Sequence, residues 1–431
     1  VDVLHPISGV AGLIAMTAKT TVIFTVVMLV VAYTTLAERR VSAWIQDRSG
    51  PNRVGPLGLL QPIADGIKNF LKEETLPATS NKLFFLLAPI LTMAPALVTF
   101  AVIPIAAPLP TPWGVVDMVI ADVPIGILYV LAVSSLGVYG LVLGGWSSNN
   151  KYAFLGGLRA SAQMVSYEVA LGLSIVGVLM LAGNVTLTEM VWQQQQLDMW
   201  FALPLSLAFI FFLISAFAET NRLPFDMPEA ESELVTGYHT EYSGMKFSMY
   251  MIAEFGHMVT ASALMATLFF GGWDLPGRWD DAFWYGGQLI SGFAADGSVI
   301  PAAPAWWKTL LTFAGFGLKT GFFLLVYIWV RWTLPRFRYD QVMALGWKVM
   351  LPTALAYVML LAATILVLDE IGMRWGFGYG LALTGVSGLA TIGFLLFLDR
   401  GHTIVGAAAL GRQRSLTRRR RRSAVAAPAG D

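Results

Sequence analysis

Cysteine is absent from all 431 residues, and histidine occurs only four times. The first absence excludes disulfides, thiol chemistry and a cysteine-ligated iron–sulfur cluster. The scatter of His5, His239, His257 and His402 offers no metal-ligand spacing, so no metal site is expected. Charge is scarce as well: 13% of residues carry one, against about 25% in a soluble domain. A net charge of +1 gives no reason to expect a nucleic-acid partner. Any redox centre therefore belongs to a partner chain or a diffusible substrate. No internal repeat of the kind that marks many secondary transporters is visible. The chain starts at Val1 rather than Met, and no cleavable signal peptide is expected.

What is present is apolar: 56% of residues are hydrophobic, much of them in runs of about 20 residues. The fold expected is an all-α polytopic membrane protein. Nine spans are expected, at 18–36, 83–105, 123–143, 160–182, 203–218, 248–271, 309–330, 352–368 and 377–398. Between the first two lies an amphipathic piece with Leu60, Ile63, Ile67, Phe70 and Leu71 on one face. Gln61, Asp65, Lys68 and Lys72 fall on the other, the pattern of a helix seated in the membrane interface or packed on a neighbouring domain. Lys and Arg alternate across the crossings, seven after the first span, none after the second, four over 331–348 and eight in the tail. The positive-inside rule then puts the N-terminus outside and the basic tail inside. The outer loops hold Trp192, Trp200, Trp273, Trp279, Trp284, Trp306 and Trp307, read as an interfacial aromatic belt. Three regions are expected: a membrane core over 1–370, an extra span over 371–398, and a basic, disordered, lipid-contacting tail over 399–431.

The stretch 217–254 packs Glu219, Asp226, Glu229, Glu231, Glu233, Glu241 and Glu254 between two apolar runs, with only Arg222 and Lys246 among them. A charge in hydrocarbon costs roughly 2.5–3.5 kcal/mol on insertion scales, so this loop faces water, a protein partner or a proton path. If helical, it would present Glu229 and Glu233 on one face and Glu231 on the other. Asp122, Glu168, Glu219, Glu254 and Lys319 fall inside or at the edges of spans. Such groups are candidates for proton relays or for satisfied helix contacts. Opposite in sign, Arg39, Arg40, Arg48 and Arg53 surround a Gly50-Pro51-Asn52 turn. Guanidinium groups there hold carbonyl or carboxylate oxygens, or merely set orientation. The residues alone leave these alternatives open.

Several motifs in order carry a resemblance. Glu38-Arg39, Asp47-Arg48-Ser49-Gly50-Pro51-Asn52-Arg53-Val54-Gly55-Pro56 and Leu59-Leu60-Gln61-Pro62-Ile63-Ala64-Asp65-Gly66 form the first group. Gly145-Trp146-Ser147-Ser148-Asn149, Leu158-Arg159-Ala160-Ser161, Ser166-Tyr167-Glu168, Ala218-Glu219-Thr220-Asn221-Arg222 and Arg331-Trp332-Thr333-Leu334-Pro335-Arg336 follow. Together they resemble the H-type membrane subunits of the bacterial proton-pumping NADH:quinone oxidoreductases (respiratory complex I), the counterparts of the first mitochondrially encoded complex I subunit. The likeness covers about 17–368.

That resemblance implies a bacterial plasma-membrane subunit at the junction with a peripheral arm, with no complete active site of its own. It implies quinone, menaquinone or ubiquinone, as substrate, with FMN and iron–sulfur clusters held only by partner subunits. Arg39, Arg48, Arg53 and Asp65 would line the quinone chamber. Glu219, Asp226, Glu229, Glu231 and Glu233, with Glu254, would relay protons toward Glu168. Arg159, Arg222, Arg331, Arg336 and Asp340 would support the cytoplasmic face. The implied partners are the peripheral quinone-site subunits, the holder of the terminal iron–sulfur cluster, small membrane subunits and antiporter-like subunits. Departures from the family pattern are Ala230 for glycine, Pro228 and His239 nearby, and the extra ninth span with its arginine-rich tail. Competing readings are the equivalent subunit of a membrane-bound hydrogenase, a stand-alone ion transporter and a structural anchor.

Overall fold

In hydrocarbon every backbone amide and carbonyl needs an internal partner, so long apolar runs close up as helices. The computed structural model describes residues 9–111, 114–275, 283–285, 288–293, 299–301 and 306–399. In chain order its helices are α1 (Gly9–Ile45), α2 (Gln61–Leu71), α3 (Lys82–Val98), α4 (Gly126–Ser147) and α5 (Lys151–Ala182). They continue as α6 (Leu187–Leu197), α7 (Ser206–Glu219), the four-residue α8 (Glu231–Leu234) and α9 (Gly244–Phe269). The last are α10 (Trp306–Thr333), α11 (Tyr339–Ala344), α12 (Leu351–Glu370) and α13 (Phe377–Asp399). A π-helical turn, Leu345–Met350, joins α11 to α12. Two small antiparallel sheets, Leu109–Thr111 with Gly114–Val116 and Phe283–Tyr285 with Gln288–Phe293 and Val299–Pro301, sit in the connections.

Among the described residues eight helices are long and apolar enough to cross a bilayer. The fifth expected span, at 203–218, differs. The run at 203–218 forms α7, only 14 residues, or about 21 Å of helix against about 30 Å of hydrocarbon. Pro204 is the reason: the residue before a proline is driven from helical angles, so the helix begins only beyond it. Neighbours complete the layer. Gln194 of α6 accepts from the Phe201 amide at 3.1 Å and donates to the Thr267 carbonyl at 3.0 Å. From α13, the Ser387 hydroxyl donates to the Pro204 carbonyl at 2.6 Å, Thr391 meets Ser206 at 2.9 Å, and Phe394 packs edge-on against Phe211.

The α2 helix matches the amphipathic expectation. Ile63, Ile67, Phe70 and Leu71 remain exposed along one face, as in a helix seated in an interface. The aromatic belt is corrected in part. Trp306 and Trp307 are exposed at the start of α10, but Trp273 is buried and the Trp200 indole donates to Asp274 at 3.0 Å. Trp200 with its bound indole N–H and Trp273 with its large apolar body close the core at that end. The side chains of Trp279 and Trp284 and the tail over 400–431, with its arginine run, lie outside the described residues. Lys319 resolves as a cap: its ammonium donates to the carbonyls of Phe270, Gly272 and Asp274 just past the end of α9.

Small residues let the helices touch. At Gly140 of α4, an added Cβ would stand 2.1 Å from the Thr92 hydroxyl and 2.8 Å from the Ala88 carbonyl of α3. Both are too close for any real contact, and backbone cannot swing aside. Gly140→Ala is therefore expected to destabilise the α3–α4 pair by about 1–3 kcal/mol, read as a lowered unfolding temperature in detergent. An unchanged midpoint would show that the helices do not approach so closely.

Candidate functional site: a buried ion-pair network beside the acidic loop

The site begins with a helix end. The α7 helix stops at Glu219, and Asn221 takes positive φ to turn the chain, a conformation asparagine tolerates. Gln163 of α5 holds that turn from inside, its amide donating to the carbonyls of Ala218 and Phe225 at 2.8 Å each. Glu219 and Arg222 are thereby fixed on either side of one bend.

Arg222 is the centre. One of its terminal nitrogens donates to both carboxylate oxygens of Glu38 at 2.9 Å. Its Nε stands 2.7 Å from Glu254, and its guanidinium lies over the Phe255 ring at 4.4 Å. Arg331 of α10 reaches the same Glu38. Both Arg222 and Glu38 are buried. Two carboxylates and two guanidiniums thus tie α1, α9, α10 and the post-α7 bend into one neutral cluster. Next along α1, Arg39 donates to Asp65 of α2 at 2.6 Å, and Gln61 and Lys68 stand at the same carboxylate at 3.0 and 3.7 Å.

The remaining acids divide. Glu233 binds Arg159 at 2.6 Å, and Asp226 is paired with Arg336. Glu229 meets His239 at 3.2 Å, while Glu241 accepts from Asn150 at 2.7 Å. Glu168, mid-helix in α5, and Glu219 have no cationic partner among the described residues. They lie close enough for the charge of one to act on the other, and the Ser134 hydroxyl is in reach of Glu219. Tyr238 stands amid the acids: burial first, then the negative charges of Glu229, Glu254 and Asp226, push its phenol well above the ordinary value. At a separate place, Asp122 precedes α4 in a loop and accepts from Thr188 at 3.2 Å. Burial raises the carboxyls of Asp117, Asp122 and Glu189 there.

Several expectations change. Glu229 and Glu233 do not share a helix face, because α8 spans only four residues and Ala230 ahead of it sits at φ +24°. The Glu231 side chain lies outside the described residues. Arg48 and Arg53 stay exposed on the turn after α1; Arg48 donates to Gln46 at 2.7 Å, and neither joins the Arg39–Asp65 pair. Asp340 occupies the first turn of α11, where a carboxylate suits the helix dipole. Glu38 and Gln163 were missed as site residues. The signal for Glu38 was present, a carboxylate at the end of an apolar run, but it reads equally as the helix reaching water.

Fold and site together define a polytopic helical membrane protein with a buried, neutralised charge cluster at one end of its bundle and two carboxylates of another kind beside it. The chain belongs to the NADH dehydrogenase family, whose sequence model matches residues 18–362. It is 45% identical over 354 residues to an H-type NADH-quinone oxidoreductase subunit of Cytophaga hutchinsonii, covering 82% of this chain and 97% of that protein. It is 47% identical over 354 residues to NADH-ubiquinone oxidoreductase chain 1 of Chondrus crispus, covering 82% and 98%. With the H-type NADH-quinone oxidoreductase subunit of Rhodospirillum rubrum it shares 46% over 339 residues, covering 79% and 90%. The family match ends before α13.

Two outcomes follow from this geometry. Arg222→Met strips Glu254 of its cation and leaves Glu38 with Arg331 alone; breaking such a buried pair costs about 3–5 kcal/mol. Its accumulation in membranes should fall sharply, and wild-type levels would show the cluster to be dispensable. Ala230→Gly removes the Cβ from a left-handed position and should raise stability by about 1 kcal/mol, seen as a higher melting temperature.

Proposed function

We propose that the chain is the membrane subunit of a bacterial proton-translocating NADH:quinone oxidoreductase, walling the quinone access chamber and carrying a carboxylate relay to the pumping machinery. One observation carries this reading: consecutive residues of α1 serve both halves. Arg39 holds Asp65 on the amphipathic α2, while Glu38 holds Arg222 and, through it, Glu254 beside the acidic loop. A charge change at the α2 side is felt one residue away by the cluster. The curated relatives bear names of NADH-quinone or NADH-ubiquinone oxidoreductase subunits, which supports the assignment.

In this reading quinone enters from the bilayer between α1 and α2, whose exposed apolar face lies in the interface. Arg39, Arg48, Arg53 and Asp65 shape its path. Two electrons from an iron–sulfur cluster of a peripheral subunit, with two protons, convert quinone to quinol. FMN and the other clusters belong to that arm. The protons, or their charge equivalent, draw on Asp226, Glu229, Glu231, Glu233 and Glu254. Glu219 and Glu168 then pass the change toward small membrane and antiporter-like subunits. The N-terminus faces outward, and the acidic loop and basic tail face the cytoplasm, where the tail meets anionic lipid. Arg159, Arg331, Arg336 and Asp340 hold the cytoplasmic face in shape.

The test uses the whole complex in native membranes. Glu168→Gln should lower NADH:quinone turnover by about a hundredfold, the lower end of what positioned proton-transfer groups supply, and Asp65→Ala should lower it by disturbing the quinone path. NADH oxidation by a soluble acceptor should persist. Normal quinone turnover in both variants would leave the chain as scaffolding. Hydrogen evolution in place of quinone reduction would move it to the hydrogenase-type complexes.

A further inference from the structure

Between α4, α5, α7 and α9 lies a cavity with about 30 Å³ of room for water centres, about twice what one water needs. Its wall is largely apolar, but Ser134, Thr99, Thr260, Thr220, Glu219 and His257 also line it. The four hydroxyls donate to helix carbonyls, of Leu131, Pro95, Ala96 and Ala216 respectively. Glu219 and His257 are the two groups in the wall that exchange protons.

His257 has no assigned role in the relay described above. Neither ring nitrogen has a hydrogen-bond partner among the described residues, and Nε2 is shut off from the exterior. A Cβ added at Gly137 of α4 would lie 3.4 Å from that Nε2 and meet nothing else but the same ring. Buried polar groups ordinarily find partners, and an orphaned one is penalised. A leucine would fill this place in an apolar bundle more favourably than an imidazole. The cavity has room for the missing partner, since the ring and Glu219 both line it.

We propose that His257 extends the proton-carrying set, exchanging a proton with Glu219 through water in this cavity. A proton leaving the Glu219 carboxyl passes over one or two waters to a ring nitrogen, leaving a carboxylate and an imidazolium; the return restores both neutral groups. The charges around the pair are few. Glu168 of α5 acts on Glu219, and Glu254, one turn before His257 on α9, is neutralised by Arg222. The α4 helix and Thr99, just past the end of α3, contribute hydroxyls and no charge to the wall. This inference rests on the relay reading, and the experiment separates the two.

In the intact complex, His257→Gln should assemble and oxidise NADH with a soluble acceptor normally. Quinone-linked turnover and proton translocation should fall by about a hundredfold, with the pH profile of turnover displaced. Glu219→Gln should lose both. A defective Glu219→Gln beside a His257→Gln with wild-type turnover, pumping and pH profile overturns the role of His257 alone. Wild-type behaviour of both overturns the relay. If His257→Gln does not assemble, Gly137→Val decides, since its side chain crowds Nε2 while the imidazole is kept. Loss of pumping in the assembled Gly137→Val complex supports the proposal, and normal pumping overturns it.

Discussion

The arrangement depends on one cation shared by two anions. Arg222 lies between Glu38 and Glu254, and Arg331 brings a second positive charge to Glu38. Away from water, none of these four groups is tolerable alone, because desolvation of a lone ion costs several kcal/mol. Together they are neutral and strongly attracted. Their meeting requires the end of α1, the middle of α9, the end of α10 and the bend after α7 to occupy one place. The cluster is thus a geometric condition on the bundle as much as an energetic term. Because Arg222 follows Glu219 by three residues and Gln163 holds the same bend, the cluster also decides where Glu219 sits.

Two chemical kinds of acid result. Asp65, Asp226, Glu233 and Glu254 each face a cation, which favours their charged form. Glu168 and Glu219 face helix walls, a serine and each other, so their charge is governed by protons. The π-helical turn sharpens this placement. A Cβ on its Gly346 would lie 2.8 Å from the Ser166 hydroxyl, and Tyr167 donates to the Val342 carbonyl at 2.9 Å. The residues just before Glu168 are therefore clamped against that irregular turn.

The outer flank shows how a membrane fold tolerates an incomplete crossing. The α7 helix is too short to span, yet backbone groups of the stretch just before it are met by the Gln194 amide of α6 and the Ser387 hydroxyl of α13. The α13 helix lies beyond the family match, and it packs on α7 and α12 through Phe394 and a Tyr357–Ser387 hydroxyl pair at 2.8 Å. Its other face keeps Leu389, Ile392 and Leu396 exposed, as lipid contact requires.

By itself the sequence determined the class: hydrophobic length marks the crossings, 3.6-residue periodicity marks α2, and the motifs mark the family. These are local properties, set by neighbours along the chain. The short α7 was half legible, since Pro204 was visible but the apolar run continued across it. The Trp200 and Trp273 placements and the split of Glu229 from Glu233 were not legible, because each turns on what another element brings. Only the tertiary structure decided which carboxylates are neutralised. Glu38 and Arg222 are separated by 184 residues, and ion pairing falls off over ångströms of space with no regard to distance along the chain.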